Sequence, residues 1–239
     1  PGWQDAVLAH APDSARHATR AAGVFLGYDF HLSDAGPQLI EINTNAGGGL
    51  LNAILGRAQR ACCAEVAEAM DAVPGEAADL EARFVAMFRA EWRAERGDAA
   101  LRHVAIVDEA PQGQYLLPEF LLFQRLFEHH GIAASICDPT ELSHGPQGLS
   151  LQGRPVDLVY NRLTDFSLDD PKNEALRDAY LADAVVLTPH PRAHALYADK
   201  RNLVLLGDSD WLAEIGVGHS GGAPQRAGSR HITAVGGGG

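Results

Sequence analysis

From about residue 100 onward, short apolar runs alternate with amphipathic stretches, and this alternation most limits what the chain can become. HVAIVDE (103–109), IAASICD (132–138), VDLVYNRL (156–163) and AVVLTP (184–189) have the length and apolar density of buried strands. Between them, PEFLLFQRLFEHHG (118–131) reads as a helix stopped by Gly131, and Pro171 to Asp183 as another. HPRAHALYADKRNLVLLG (190–207) follows as a single helix with proline in its first turn. Strands in alternation with helices specify an α/β fold built on an open, mostly parallel sheet. Ligands of such sheets sit at the carboxyl ends of the strands. The residues just after VAIV, LVY and VVLTP are therefore where chemistry is expected. Gln112, Gln114 and Glu119, which follow the first of these ends, are candidate substrate contacts.

The first hundred residues read differently. Residues 1–22 are Ala-rich and helical in pattern, and residues 51–70 are helical again. VPGEA (73–77) is a turn, after which Leu80, Phe84, Met87, Phe88 and Trp92 form one apolar helix face suited to packing. Between the first two helical stretches lies GYDFHLSDAGPQLIEINTNAGGG (27–49), which reads as a β-hairpin. Alternation puts Glu41 and Asn43 on one face of its second strand. A three-residue loop, Asp34-Ala35-Gly36 with left-handed glycine, sets Asp29 opposite Glu41 and Gly27 opposite Asn43. Two carboxylates at cross-strand distance repel. A Mg²⁺ ion held by Glu41 and the Asn43 carbonyl oxygen, with Asp29 beside the ion or on a substrate amine, would relieve that, since this ion takes one or two protein oxygens plus substrate phosphates. A hairpin whose polar face simply meets water is the alternative. Gly47-Gly48-Gly49 is neither a P-loop nor a dinucleotide fingerprint; it suits close approach of backbone amides to a ligand or a tight exit turn.

The 239-residue chain is 46% apolar and 21% charged, ordinary for a chain with a sizeable core. Its formal charge of −12 argues against nucleic acid or anionic membrane as partner. No apolar run approaches the roughly 20 residues of a membrane span. No signal peptide opens the chain, and the three cysteines, Cys62, Cys63 and Cys137, include no CxxC pair, so a reducing cytoplasm is the expected compartment. Adjacent Cys62 and Cys63 read as small apolar helix residues. The composition suggests divisions at 1–98, 99–206 and 207–239, the last Gly-rich from Gly216 and expected to be disordered or truncated.

LIEINTNAGG (39–48) resembles the EINT segment of eukaryotic-type glutathione synthetases, which have a permuted ATP-grasp fold. DLVYNRLTDF followed by ADKRNL resembles that family's substrate-domain strand ending in arginine and its lysine-bearing helix. The resemblance spans roughly residues 23–50 and 104–205, in the family's order. It implies an ATP- and Mg²⁺-dependent carboxylate-amine ligase acting through an acyl phosphate on an amino-acid or peptide substrate. The parallel sheet then becomes a pre-ATP-grasp-like substrate domain, and the hairpin with its helices part of the ATP-grasp domain. By position, Glu41 and Asn43 look like the metal ligands and Asp29 like the acidic residue of the substrate and metal region. Arg162 looks like the arginine that grips a substrate carboxylate, and Lys200 like a nucleotide-phosphate lysine, with Asn45 and Gly47 beside the nucleotide. Asn45, Ala46 and Gly47 stand where the family carries serines, and Gly27 where it carries an arginine. The family's usual peptide and glycine substrates are therefore not implied. The family continues into a second lysine and a glycine-rich flap, whereas this sequence passes into GVGHSGGAPQRAGSRHITAVGGGG. The chain is expected to be a fragment that does not turn over alone.

Other patterns carry less. His190 and His194 share a helix face, but without HExxH they suit packing at a helix start better than a zinc site. His129 and His130 complement a helix C-terminus. Arg162 could equally pair with Asp165, and Lys200 could be a solvated surface residue. No hydrolase nucleophile turn is present, and the sequence leaves a homodimer open. A noncatalytic domain that binds an anionic amino-acid-like molecule through Arg162 is the alternative to the ligase.

Overall fold

A computed structural model of the chain describes residues 2–34, 36–62, 65, 68 and 80–217. Its centre is the expected parallel sheet. Strands β3 (His103–Val107), β4 (Ala133–Cys137), β8 (Leu158–Asn161) and β9 (Val186–Thr188) lie in the order β4-β3-β8-β9, every neighbouring pair parallel. The register sets Val107 beside Cys137 on one side and Asn161 on the other, so three strand ends finish level.

Alternation along these strands feeds two cores. Val104, Ile106, Leu158 and Tyr160 point to one face, where helices α4 (Leu80–Arg96) and α5 (Leu117–His129) cover them. The apolar stripe of α4 packs as its spacing predicts: Phe88 is fully buried, 5.0 Å from Phe127 and 4.9 Å from Tyr160 between ring centroids. Phe25, Phe84 and Phe123 complete this edge-on aromatic cluster. Ala105, Val107, Val159 and Leu187 point to the other face. There helix α6 (Glu174–Leu181) and an antiparallel sheet of β5 (Leu142–Gly145), β6 (Gly148–Leu151) and β7 (Arg154–Pro155) cover them. With both faces covered, continuous apolar strands are what burial requires.

Packing groups the chain into two units. The first comprises residues 1–27 and 42–199, and so runs across residue 98; the second comprises residues 28–41 and 200–239. The second contains most of the hairpin formed by β1 (Gly27–Ser33) and β2 (Gly36–Asn43), with helices α8 (Asn202–Leu206) and α9 (Ser209–Glu214). Gly36 is left-handed, with φ 99°, as the three-residue loop expects; Ala35 lies outside the described residues. A methyl group at Gly27 would stand 3.5 Å from the Asn43 Cβ, so those two residues are neighbours, also as expected.

Several elements differ from the sequence reading. The single N-terminal helix becomes α1 (Gly2–Leu8) and α2 (Asp13–Arg16), because Pro12 has no N–H to continue the first and its carbonyl starts the second. The helix expected over 190–207 splits into α7 (Pro191–Tyr197) and α8, with the break at Asp199, a residue type that favours turns. Lys200 therefore stands in a turn, exposed, and not on a helix face. Within the segment expected to be unstructured from 207, α9 forms because the Asp208 carboxylate caps it, accepting from Asp210 N and Trp211 N. Residues 218–239 lie outside the described residues, as do Cys63 and the turn at 73–77. Helix α3 (Gly49–Arg60) ends before Cys62, which is exposed in the following turn and not packed on a helix. The β5–β7 sheet was not expected at all. No helix among the described residues is long and apolar enough to cross a membrane.

Candidate functional site at the carboxyl edge of the sheet

Residues that follow the strand ends converge on the segment after β2. Strand β8 ends in Asn161, whose side chain accepts from Leu163 N and donates to the Pro189 carbonyl, turning the chain sharply at the edge. Arg162 follows, anchored by its amide to the Val107 carbonyl at 2.9 Å. Its side chain is 7% exposed, lies 5.4 Å over the Tyr160 ring, and donates from Nη1 to the Asn45 side-chain oxygen and the Ala46 carbonyl. Asn45 returns a bond from its amide nitrogen to the Leu163 carbonyl at 3.1 Å. Two segments 117 residues apart are thus stitched into one place. The Arg162 Nε is buried without a hydrogen-bond partner. Arg162 makes no ion pair with Asp165, whose carboxylate instead accepts from Asp170 N and Asn173 Nδ2.

The glycines have packing reasons. A Cβ at Gly47 would lie 2.6 Å from Leu116 Cδ1 and 3.0 Å from Arg162 Nη2. Gly48 has φ 85°, which only glycine adopts without strain. The amides of Gly48 and Leu50 both donate to the Glu119 carboxylate, at 2.7 and 3.0 Å. Glu119, 1% exposed at the start of α5, thereby caps α3. The expectation that Glu119 touches substrate gives way to this: both oxygens are used within the protein, at the helix end where a ligand anion would otherwise sit. Gln114 donates to the Glu109 carbonyl, and Gln112 is exposed.

One acidic group stands apart. Asp108, half-buried at the end of β3, accepts only the Glu109 amide through Oδ1. None of the described residues bonds its other oxygen or forms an ion pair with it. Burial raises its pKa to about 6, helped by the charges of Glu109 and Asp138 and opposed by the Glu109 amide bond and the nearby Arg162 guanidinium. Glu109 and Asp138 are occupied elsewhere, the first by Lys172 Nζ at 2.9 Å and the second by the Ala110 and Thr140 amides.

Beside Asn45, Thr44 shares a 2.9 Å hydrogen bond with His194 Nδ1, and the His194 ring stacks on Phe166 at 3.9 Å. Burial lowers the His194 pKa. His190 accepts from Ala193 N through Nδ1 and bonds the Ala21 carbonyl through Nε2, so both ring nitrogens serve the fold. Burial pushes its pKa down to about 4 against the Ala21 bond that favours the charged form. Below it, Glu91 of α4 accepts from Ala22 N, Gly23 N and Thr188 Oγ1, while Glu95 accepts from Thr19 Oγ1 and the Arg20 and Ala21 amides. These carboxylates clamp the segment that leads into β1.

Of the residues singled out in the sequence, Arg162, Asn45 and Gly47 meet in one place. Glu41, half-buried, and Asn43, exposed, are two residues apart on β2, so alternation turns both side chains to one face. Asp29 is exposed on β1. Among the described residues no three His, Cys, Asp or Glu side chains cluster to hold a metal. The contributions of Asp108 and Glu119 were not read from sequence as they stand here. Asp108 could have been noticed as a carboxylate directly after a fully apolar strand, whereas the Glu119 cap depends on a contact 71 residues away. The chain matches no protein-family model and no curated protein sequence.

Proposed function

We propose that the chain is part of a carboxylate-amine ligase of glutathione-synthetase type, dependent on ATP and Mg²⁺, and that its parallel sheet is the pre-ATP-grasp-like substrate domain of a permuted ATP-grasp enzyme. The observation that supports this reading best is the bonding of Arg162 to Asn45 and Ala46. It joins the strand end and the EINT-like segment, the two stretches that carry the resemblance, at the edge where parallel sheets bind ligands. The oxygen donors of Glu41 and Asn43, on one strand face, suit a hard cation completed by phosphate oxygens. When bound, Mg²⁺-ATP supplies the phosphoryl group that activates a carboxylate toward an amine. The chain's own part is to orient: Arg162 and Asn45 would hold the substrate carboxylate, and Asp29 and Lys200 are the groups that the resemblance assigns to the metal and the phosphates. An amino-acid or peptide molecule is the substrate class.

Titration calorimetry with Mg²⁺-ATP on the chain and on Glu41→Ala tests the proposal. The expected result is binding that needs Mg²⁺ and is lost in the variant. Binding of an anionic amino acid with no response to Mg²⁺-ATP would instead mark a noncatalytic binding domain that uses Arg162.

A further inference from the structure

Two polar groups at adjacent strand ends lack partners of opposite kinds. Asp108 follows β3 and Arg162 follows β8, one residue past the parallel pair Val107 and Asn161, and the Arg162 amide still donates to the Val107 carbonyl. Continuing the alternation of Ile106 and Tyr160 places both on the face covered by α5. Asp108 Oδ2 is an acceptor with no donor among the described residues, and Arg162 Nε is a buried donor with no acceptor. The remaining charges near Asp108 are accounted for: Glu109 is paired with Lys172, and Asp138 is bonded to backbone and Thr140. The Arg162 Nε is out of a ligand's reach, so the open position is Asp108 Oδ2, which a ligand N–H satisfies with the Arg162 charge nearby. An amine, one of the two groups that a carboxylate-amine ligase joins, offers that donor.

We infer that Asp108 receives the amine substrate, holding it as an ammonium ion beside the carboxylate end of the site at Arg162. This rests on the ligase reading for its chemical purpose. In the ionised state Asp108 accepts a charge-assisted hydrogen bond from the ammonium. The Asp108 carboxylate takes one proton from the ammonium, which frees the nitrogen lone pair to attack the activated carbonyl and form the C–N bond. The C–O bond to phosphate then breaks, its electrons leave with the phosphate, and the phosphate takes the second nitrogen proton, leaving the amide. A carboxylate whose basicity lies close to neutrality suits this work better than an ordinary surface aspartate.

The test uses methylammonium as probe and tetramethylammonium, which has the charge but no N–H, as control. Binding is followed by NMR through the Glu109, Ala110 and Leu163 amides. Methylammonium is expected to give saturable shifts at pH 7.5 that fade by pH 5 as Asp108 protonates; tetramethylammonium is expected to give none. Asp108→Asn should weaken the binding by at least about tenfold, while Glu109→Gln should leave it within about twofold because that exposed charge is already paired. Asp108→Asn should also melt at or above the wild-type temperature at pH 7.5, because it removes a half-buried charge, so loss of binding there is not loss of fold. Equal binding by Asp108→Asn, or equal shifts with tetramethylammonium, would overturn the assignment. If Mg²⁺-ATP fails to bind while methylammonium titrates as described, ligation falls and the amine site stands; the reverse pattern removes Asp108 and leaves ligation.

Discussion

His190 and Glu119 are single residues whose burial sets measurable energies. His190 is neutral in the fold with a pKa of about 4, against an ordinary value of 6.5. Between those values the unfolded chain binds a proton that the folded chain does not, so this contribution is complete above pH 6.5 and is lost as pH falls toward 4. At about 1.4 kcal/mol per pKa unit the full swing is about 3 kcal/mol. Urea denaturation at pH 5 and pH 7 is expected to show this dependence in the wild type and a flatter one in His190→Gln. Glu119→Ala leaves the half-buried Gly48 amide and the buried Leu50 amide unpaired and should cost about 3 kcal/mol by the same assay. Glu119→Gln, which keeps one acceptor oxygen, should cost about half as much.

Helices and strands show where local pattern suffices and where it does not. The four parallel strands and α5 follow from runs of buried apolar residues bounded by turn signals, and their identities were legible. The β5–β7 sheet was not, because its strands have at most four residues and its signals are turn chemistry. Gln152 and Gly153 both have positive φ, at 51° and 77°, which is what a two-residue hairpin turn demands. Only Gly153 announces that in the sequence. Gln152→Asn should therefore raise stability by about 0.5 kcal/mol, since asparagine tolerates the left-handed region better. At the site, Glu41-x-Asn43 and Arg162 could be singled out from strand parity and resemblance. The Asn45–Arg162 link and the Glu119 cap could not, as they join segments more than 70 residues apart. The glycine string read as room for a ligand or a tight exit turn; in the fold Gly48 makes a left-handed turn into α3 and Gly47 leaves room for Leu116 and Arg162. Gly47→Ala is accordingly expected to destabilise by about 2 kcal/mol through overpacking, with partial recovery when Leu116→Ala is added; thermal denaturation of the pair measures this.

Across the whole molecule, α4 belongs to the core of the sheet, although the change in composition falls after it. Val85, Phe88 and Trp92 are buried with Ile106, Phe127 and Tyr160 in one cluster, joined from the N-terminal side by Val24 and Phe25. Residues 99–217 expressed alone should lack that side of the core and fail to unfold cooperatively, and Phe88→Ala in the full chain should cost about 4 kcal/mol; circular dichroism melts read both. The neighbouring positions of Gly27 and Asn43 bear on the rest of the hairpin. The chain leaves the larger unit at one and re-enters it beside the same point, so residues 28–41 are an excursion whose two ends are already closed. Such an excursion adds little loop-closure cost to the larger unit when lengthened, and relieves little when trimmed. A chain that crosses from Gly27 to Asn43 by a short turn should keep the parallel sheet and both of its cores. For the larger unit's fold the hairpin is a graft whose length can vary at little cost, while Glu41 and Asp29 tie its sequence to the proposed metal site.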